Sequence, residues 1–191
     1  GDTQLLKACA ESERFKNMKL SGYVNLVERE RQMQFSAVVI EISDYCHYIS
    51  YRGTDNTIVG WQEDFNMYYM FPLPSQLTAL KYLEQAAKSL NGTFILGGHS
   101  KGGNLAVYAS IFCNSEIQKR IDGVYNHDGP GFDKEVIEQN SYKFMISKIH
   151  TYVPQSSIFG MMFEHAEEYT IVKSTQKGFL QHDIYSWEIK R

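Results

Sequence analysis

A serine flanked by glycines lies near the middle of the sequence. Residues 98–102 read Gly-His-Ser-Lys-Gly and match the pattern G-x-S-x-G. A nucleophilic serine on this pattern needs a tight, strained turn that projects its hydroxyl over the edge of a sheet. Side chains on either flank would collide with the neighbouring strand and helix, so glycine is favoured at those positions. The pattern therefore makes Ser100 the candidate nucleophile.

The residues on both sides of this serine predict a strand, a sharp turn and a helix. Residues 94–96, Phe-Ile-Leu, form a short apolar run that is typical of a buried parallel strand. Residues 105–109, Leu-Ala-Val-Tyr-Ala, begin a helix that is rich in small side chains. The start of such a helix aims backbone N–H groups and a positive dipole end at the reacting centre.

Two other interpretations of this stretch are open. Residues 97–102 have the G-x-x-x-x-G spacing of a phosphate-binding loop, but Gly103 and Asn104 follow where that loop needs Lys and then Ser or Thr. The other alternative is a glycine-rich turn between a strand and a helix, in which the serine has no chemical role.

Composition argues against several classes of function. The net charge is −3 with both signs spread along the chain, which argues against nucleic acid as a partner. No apolar run reaches the roughly 18 residues of a membrane span, and no signal-peptide pattern opens the chain. Cys9, Cys46 and Cys113 form no C-x-x-C pair, which indicates reduced thiols and a cytoplasmic location. Because H-E-x-x-H motifs and Cys/His clusters are missing from the sequence, we expect no metal and no cofactor.

The order of strand and helix patterns predicts an α/β fold with a mainly parallel central sheet and flanking helices. Residues 34–42 and 46–51 are predicted strands that form an N-terminal antiparallel hairpin. The length of 191 residues favours a single domain over residues 1–191. The other predicted elements are helices at 3–15 (capped by Thr3), 75–91 (capped by Ser75) and 134–140, and strands at 123–126, 146–153 and 169–173.

These motifs together resemble those of class 3 lipases, a branch of the α/β-hydrolases. The resemblance is carried by Tyr-Arg-Gly-Thr at 51–54, by Trp61 and Asp64 shortly afterwards, and by Gly-His-Ser-Lys-Gly-Gly at 98–103. It implies an α/β-hydrolase fold and the hydrolysis of acyl esters, either lipid-like or short-chain. Hydrolase folds often carry a last helix beyond the point where this sequence stops, so a piece of a longer protein is the alternative to a complete domain.

The resemblance is closer to the Mbeg1-like proteins, a related family without a firmly assigned substrate. Six motifs between residues 51 and 183 carry it. They read Arg-Gly-Thr-Asp, Gly-Trp-x-Glu-Asp-Phe-Asn-Met, Gly-His-Ser-Lys-Gly-Gly-Asn-Leu-Ala, Asp-Gly-Pro-Gly-Phe, Val-Pro-Gln-Ser-Ser and Gln-His-Asp. Together they are far more specific than any one motif, and they indicate the fold and the reaction type.

A serine needs an adjacent base to act as a nucleophile at neutral pH, and the resemblance implies the chain order serine, acid, histidine. His182 follows the last predicted strand, where the base of a hydrolase belongs. His165, in a predicted helix beside several glutamates, is the alternative base. His99 is adjacent to Ser100, and neighbouring side chains on such a turn diverge, so we expect it to pack or bond locally. Asp183 is poorly placed to orient its neighbour His182.

Asp128 is the candidate acid, because the usual place for it in this fold is empty. No carboxylate follows the predicted strand 146–153, and Thr151 stands where class 3 lipases carry an aspartate. Asp128 ends the preceding predicted strand, and the glycine after it lets the backbone turn and point the carboxylate at the edge of the sheet. The alternatives are a cap for the turn or the next helix, or a dyad steadied by Ser156 or Ser157.

An oxyanion hole requires two donors that face the developing charge. The backbone N–H of Lys101, directly after the serine, is one candidate, and the resemblance implies the N–H and hydroxyl of Thr54 as the other. We expect the Lys101 ammonium to pair with Asp55 or Asp64, since an unusual charge near a loop finds a partner; recognition of an anionic substrate is the alternative. The aromatic and methionine side chains between 61 and 71 either line an acyl pocket or lid or pack into the core.

The sequence thus predicts a serine hydrolase that cleaves a small-molecule carboxylic ester through an acyl-enzyme. Two rivals share much of this evidence. An acyltransferase or thioesterase would use the same residues with a different acceptor. A non-catalytic binding module would keep the fold alone, and the missing carboxylate after residue 153 favours it.

Overall fold

Seven strands form one sheet, and its strand order follows the chain from β1 to β7. The computed structural model describes residues 2–55 and 57–189. The strands are β1 (Lys19–Glu28), β2 (Met33–Ser43), β3 (Cys46–Tyr51), β4 (Thr93–His99), β5 (Ile121–His127), β6 (Ile149–Pro154) and β7 (Tyr169–Val172).

Helices connect the strands and cover the sheet. The α-helices are α1 (Asp2–Glu11), α2 (Ile58–Asn66), α3 (Pro74–Ser89), α4 (Lys101–Phe112), α5 (Ser115–Lys119), α6 (Lys134–Ile137) and α7 (Asn140–Met145). Short 3₁₀ helices span Ile146–Lys148, Gly178–His182 and Ile184–Ser186. In the described ranges, none of the helices combines the length and the apolar character that a membrane crossing requires.

The sheet is mixed, with an antiparallel N-terminal part and a parallel remainder. β2 pairs antiparallel with both β1 and β3, and each pair from β3 to β7 is parallel. The predicted α/β fold, with a mainly parallel sheet and an N-terminal antiparallel hairpin, is therefore confirmed. β1 was not predicted, because it lies at the edge of the sheet and most of its residues are exposed, so its sequence lacks a regular apolar alternation.

Two predicted helix caps are wrong. Thr3 lies inside α1, which begins at Asp2, and the apolar residues Leu5 and Leu6 of this helix are 53% and 63% exposed instead of packed. Ser75 lies inside α3, which begins at Pro74, and the first-turn contact comes from Gln76, whose side-chain oxygen accepts from the backbone N–H of the preceding loop. Proline favours the first turn because it has no N–H to satisfy there.

The C-terminal half differs from the sequence prediction in four details. Predicted helix 134–140 is two short helices, and residues 146–148 form a 3₁₀ turn before β6 begins. Residues Gly178–His182, for which no helix was predicted, form a 3₁₀ helix. The segment that contains His165 is irregular rather than helical, and Glu164 beside it forms an isolated bridge with Phe132.

Helix α4 lies against the parallel strands, and nearly all of its residues are buried. Glycines allow this close approach. A Cβ on Gly98 would lie 2.4 Å from backbone atoms of Gly102 and Tyr51, and a Cβ on Gly103 would lie 2.1 Å from the side-chain oxygen of Asn126. This packing brings the C-terminal ends of β3, β4, β5 and β6 together beside the start of α4, and ligands bind at this edge of open α/β sheets.

We expect Gly98→Ala to lower the free energy of unfolding by about 3 kcal/mol or more, because overpacking against backbone atoms forces them to move. Gly178→Ala is the control. An alanine with the φ of +55° found at this position costs about 1 kcal/mol, but its Cβ would meet no atom within 4 Å. Urea denaturation of both variants measures the difference, and equal stabilities would contradict this account of the α4 packing.

Candidate active site

Ser100 lies on a strained turn between the end of β4 and the start of α4. Its backbone has φ 57° and ψ −132°, a conformation that residues with a side chain rarely adopt. The N–H of Ser100 donates to the carbonyl of His127 at 2.9 Å, which ties the turn to β5. Its carbonyl accepts from the N–H of Gly103 at 2.9 Å, inside the first turn of the helix. The turn is therefore held from both sides.

The loop that follows β3 runs directly against this turn. A Cβ on Gly53 would lie 2.6 Å from the carbonyl oxygen of His99 and 3.3 Å from the Cβ of Ser100. Thr54 is the next residue, and its hydroxyl donates to Asp64 on α2 at 2.7 Å. Burial raises the pKa of Asp64, whereas this hydrogen bond and the nearby Lys101 ammonium act in the opposite direction. The predicted oxyanion loop thus lies beside Ser100.

His182 and Asp128 form a direct pair. The Nδ1 atom of His182 lies 2.7 Å from Oδ2 of Asp128, whose side chain is 1% exposed. Asp128 follows β5 with a φ of +55°, a backbone turn that aims its carboxylate at the end of the sheet. Its other oxygen accepts from the Ser157 hydroxyl and from the Gly160 N–H, so the carboxylate is held in one orientation. Ser157 therefore contacts the acid and not the histidine.

Ser100 and His182 line the same cavity, which has a volume of about 670 Å³. Among the described residues, no hydrogen bond joins the Ser100 hydroxyl to His182. Such bonds are often long in a free enzyme and shorten when substrate binds. Because Asp128 occupies Nδ1, the Nε2 atom is the ring nitrogen that remains available for Ser100.

Two aromatic rings pack against His182. The ring centroid of Phe159 is 4.3 Å from that of His182, and the ring centroid of His99 is 4.5 Å away. The Nε2 atom of His99 lies 2.7 Å from the carbonyl oxygen of His182. Burial, with the nearby His182 ring, lowers the pKa of His99 to about 4. The His99 ring is therefore neutral at neutral pH and donates to that carbonyl.

The Lys101 side chain turns away from the cavity and into the protein. Its ammonium lies 2.9 Å from Glu63 on α2 and 4.0 Å from Asp64, and the Lys101 and Glu63 side chains are 2% and 0% exposed. The predicted partner was Asp55 or Asp64; Asp64 does lie within ion-pair distance, but the shorter contact is with Glu63, which was not predicted. The sequence offered a weak signal, since a lysine in an otherwise apolar helix requires a buried acceptor. The Lys101 N–H belongs to the first turn of α4, where N–H groups have no acceptor within the helix.

Backbone groups complete the environment of the Lys101–Glu63 pair. The ammonium also donates to the backbone carbonyl and side-chain oxygen of Gln34 at 3.2 and 3.1 Å. Glu63 accepts from the N–H of Gln34 and from the N–H of Ser75, both at 3.0 Å. The pair therefore joins β2, α2, α3 and α4.

His165 belongs to a different cluster. Its Nδ1 atom lies 2.9 Å from Oε1 of Glu167, and this oxygen also accepts from the Thr151 hydroxyl at 2.5 Å. The other oxygen, Oε2, accepts from the Tyr142 hydroxyl at 2.5 Å. Burial alone would raise the pKa of Glu167, but these hydrogen bonds outweigh it and lower the pKa to about 2. Among the described residues, those that line the Ser100 cavity do not include His165. Asp183, which was predicted to be poorly placed to orient His182, accepts a hydrogen bond from the N–H of Tyr185.

The aromatic residues beside the cavity are not part of the packed core. Trp61 and Phe65 on α2 are 54% and 64% exposed, and Tyr68 just beyond the helix is 64% exposed. Trp61 lines the Ser100 cavity. These side chains therefore form the rim of the site.

Comparison with known proteins places the chain in a family and relates its fold to lipases. The model of the Mbeg1-like family matches residues 9–191. A comparison with curated proteins found no match. A fungal lipase in complex with an inhibitor has a TM-score of 0.59 and 15% identity, with 92% of this chain and 75% of that chain covered.

Two further solved structures are similar. The Rhizomucor miehei lipase propeptide complex has a TM-score of 0.58 and 17% identity, with 90% of this chain and 63% of that chain covered. A triacylglycerol lipase from Penicillium expansum has a TM-score of 0.51 and 12% identity, with 83% and 71% covered. The chain thus spans about two thirds of the length of these lipases, and at this identity the likeness shows the fold.

We expect Lys101→Met to lower the free energy of unfolding by about 3–5 kcal/mol, because it leaves the buried Glu63 carboxylate without a counter-ion. The double variant Lys101→Met/Glu63→Gln should be more stable than the single variant, since it also removes the unpaired carboxylate charge and its amide oxygen still accepts from one of the two N–H groups. Lys119→Met breaks an exposed pair with Glu116 and should cost less than about 1 kcal/mol. Thermal and urea unfolding measure all three. A double variant no more stable than Lys101→Met would contradict the ion-pair account.

The low pKa of Glu167 predicts a pH-dependent contribution to stability. A folded-state pKa of about 2, below the ordinary value of 4.5, stabilises the fold above pH 4.5, and this stabilisation is lost as the pH falls towards 2. Glu167→Gln should therefore be less stable than the wild type at pH 7, and the difference should narrow between pH 4.5 and 2. Glu168→Gln, at the exposed neighbouring position, is the control. Denaturant titrations across this range measure the difference, and a gap that stays constant would contradict the assignment.

Proposed function

The chain belongs to the Mbeg1-like family, and we propose that it is a serine hydrolase that cleaves carboxylic esters through an acyl-enzyme. The observation that carries the proposal is the buried Asp128 carboxylate bound to Nδ1 of His182, with Ser100 on the wall of the same cavity. A serine, a histidine and a carboxylate with these contacts are the groups that acyl transfer requires. The fold shared with triacylglycerol lipases supports the same reaction class.

The reaction proceeds in two halves. His182 Nε2 takes the proton from Ser100 Oγ as this oxygen attacks the ester carbonyl carbon, and a tetrahedral intermediate forms. Collapse breaks the bond to the alcohol oxygen, which leaves with the proton from His182. Water then attacks the acyl-enzyme by the same route, and the acid is released with Ser100 restored. Asp128 holds the ring tautomer and stabilises the imidazolium in both halves.

The negative oxygen of each intermediate needs two donors. The N–H of Lys101 supplies one, because it opens helix α4 directly after Ser100 and adds the positive end of the helix dipole. The N–H of Thr54 supplies the other, and the hydrogen bond from its hydroxyl to Asp64 positions the loop. One such donor contributes about 10²- to 10³-fold to the rate in comparable sites.

Labelling with a fluorophosphonate probe tests the proposal most directly. Wild-type protein should be labelled, whereas Ser100→Ala and His182→Ala should not, because the first removes the nucleophile and the second its base. Hydrolysis of p-nitrophenyl butyrate should fall about 10³-fold or more in both variants and in Asp128→Asn. The matched controls are His150→Ala, at an exposed position, and Asp183→Asn, and both should retain wild-type labelling and rate.

Three results would contradict parts of the serine-hydrolase proposal. Unlabelled, folded wild type would overturn the hydrolase proposal and favour a binding module on the same fold. Labelling that survives Ser100→Ala would assign the nucleophile to another residue. If labelling is normal but added alcohol diverts the acyl group from water at low concentration, the enzyme is an acyltransferase.

A further inference from the structure

We propose that the substrate is an ester between a short acyl group and an uncharged, hydroxyl-bearing alcohol. This inference rests on the proposed function and narrows it to a substrate class. It comes from two cavities of different chemistry that meet at Ser100, one wide and polar and the other narrow and apolar.

The narrow cavity has the chemistry of an acyl site. Its volume is about 140 Å³, and its lining is mainly apolar, although Asp64, Ser100 and Lys101 also contribute to the wall. Trp61, Phe65 and Tyr68 come from α2 and the residues after it, and Phe159 and Met162 come from the loop after β6. Burial of an acyl chain between these walls removes apolar surface from water, which stabilises the complex.

The volume sets the length of the acyl group. A protein cavity of about 150 Å³ accepts benzene, so 140 Å³ holds roughly six carbon atoms. A contact between the two walls limits further extension, since the Tyr68 hydroxyl lies 3.6 Å from the Met162 sulfur and the Tyr68 ring packs 5.6 Å from the Phe163 ring. Butyryl and hexanoyl groups fit these limits, and the chains of long fatty acids exceed them.

The wide cavity has the chemistry of an alcohol site. Its volume is about 670 Å³, and Arg52, Asp55 and Asp64 line it together with Ser100 and His182. The Nη2 atom of Arg52 lies 3.2 Å from Asp55 and donates to Asn25 at 3.0 Å, so the Asp55 carboxylate partly neutralises this guanidinium. Asp64 uses one oxygen for Thr54, which leaves its other oxygen to accept from a substrate hydroxyl.

The charge on the wall of the wide cavity favours uncharged alcohols over anionic ones. One guanidinium and two carboxylates leave the wall of the wide cavity with a net negative charge at neutral pH. A phosphate or carboxylate on the alcohol would therefore be repelled. The Lys101 ammonium lies 4.0 Å from Asp64 but does not reverse this balance, because the buried Glu63 carboxylate 2.9 Å away matches its charge. A neutral alcohol with hydroxyl donors, such as glycerol, matches the cavity.

Two substrate series measure the two cavities separately on the purified full chain. With p-nitrophenol as the constant leaving group, kcat/KM should be highest for butyrate or hexanoate and about ten-fold or more lower for laurate and palmitate. With butyrate as the constant acyl group, monobutyrylglycerol should react faster than methyl butyrate, and its glycerol-phosphate counterpart should react more slowly than both.

Adjacent methionines give a matched pair of variants. Met162→Ala opens the contact with Tyr68, so the preferred acyl chain should become longer, with octanoate and laurate gaining relative to butyrate. Met161→Ala is the control, because Met161 is half-exposed and does not line the narrow cavity in the described part of the chain. If Met162→Ala does not fold, Tyr68→Leu removes the same contact from the other wall.

The outcomes separate this inference from the proposed function. Ser100-dependent hydrolysis that is fastest for palmitate, or a chain-length preference unchanged in both Met162→Ala and Tyr68→Leu, would overturn the short-chain assignment and leave the hydrolase intact. Equal rates for neutral and phosphorylated glycerol esters would overturn the alcohol assignment. If no ester is hydrolysed and Ser100 is not labelled, the hydrolase proposal fails and the substrate class fails with it.

Discussion

The buried ion pair between Lys101 and Glu63 is the interaction on which the geometry of the site depends. Both side chains are almost fully removed from water, and hydrogen bonds to Gln34 and Ser75 offset the cost of burying two charges. Each partner is adjacent in sequence to a residue of the site: Lys101 follows Ser100, and Glu63 precedes Asp64, which holds Thr54. This buried contact therefore links the turn at Ser100 to the loop at Thr54.

Two histidine–carboxylate pairs lie at this end of the sheet, and they differ in how far each is exposed to solvent. His182, which contacts Asp128, lines the large cavity and is 22% exposed, so its ring is accessible from that cavity. His165 and Glu167 are 6% and 2% exposed, and hydroxyl groups occupy the remaining acceptor positions. The second pair ties a loop to β6 at Thr151, where lipases that the sequence resembles carry their acid. Asp128, the acid that we propose, follows the neighbouring strand β5.

The sequence predicted the features that follow from strand ends and glycines. That Ser100 and Asp128 lie at one edge of the sheet was predictable, because each directly follows a parallel strand and the ends of such strands share an edge. His182 lies well beyond the end of β7, so its contact with Asp128 depends on the loop between them. β1 was missed because an exposed edge strand has no apolar face to reveal it. Glu63 was missed because a glutamate in a helix looks like a surface residue until its lysine partner is known, and that partner lies 38 residues away. Pairing at such a separation depends on tertiary packing, which a local pattern does not encode.

The ion pair between Lys101 and Glu63 also opposes displacement of helix α2. Trp61 and Phe65, which form one wall of the narrow cavity, lie on the same helix as Glu63. Displacement of the whole helix from the site would separate two buried charges, at a cost of several kcal/mol. The pair therefore holds α2, and with it the wall that Trp61 and Phe65 form, in place beside Ser100.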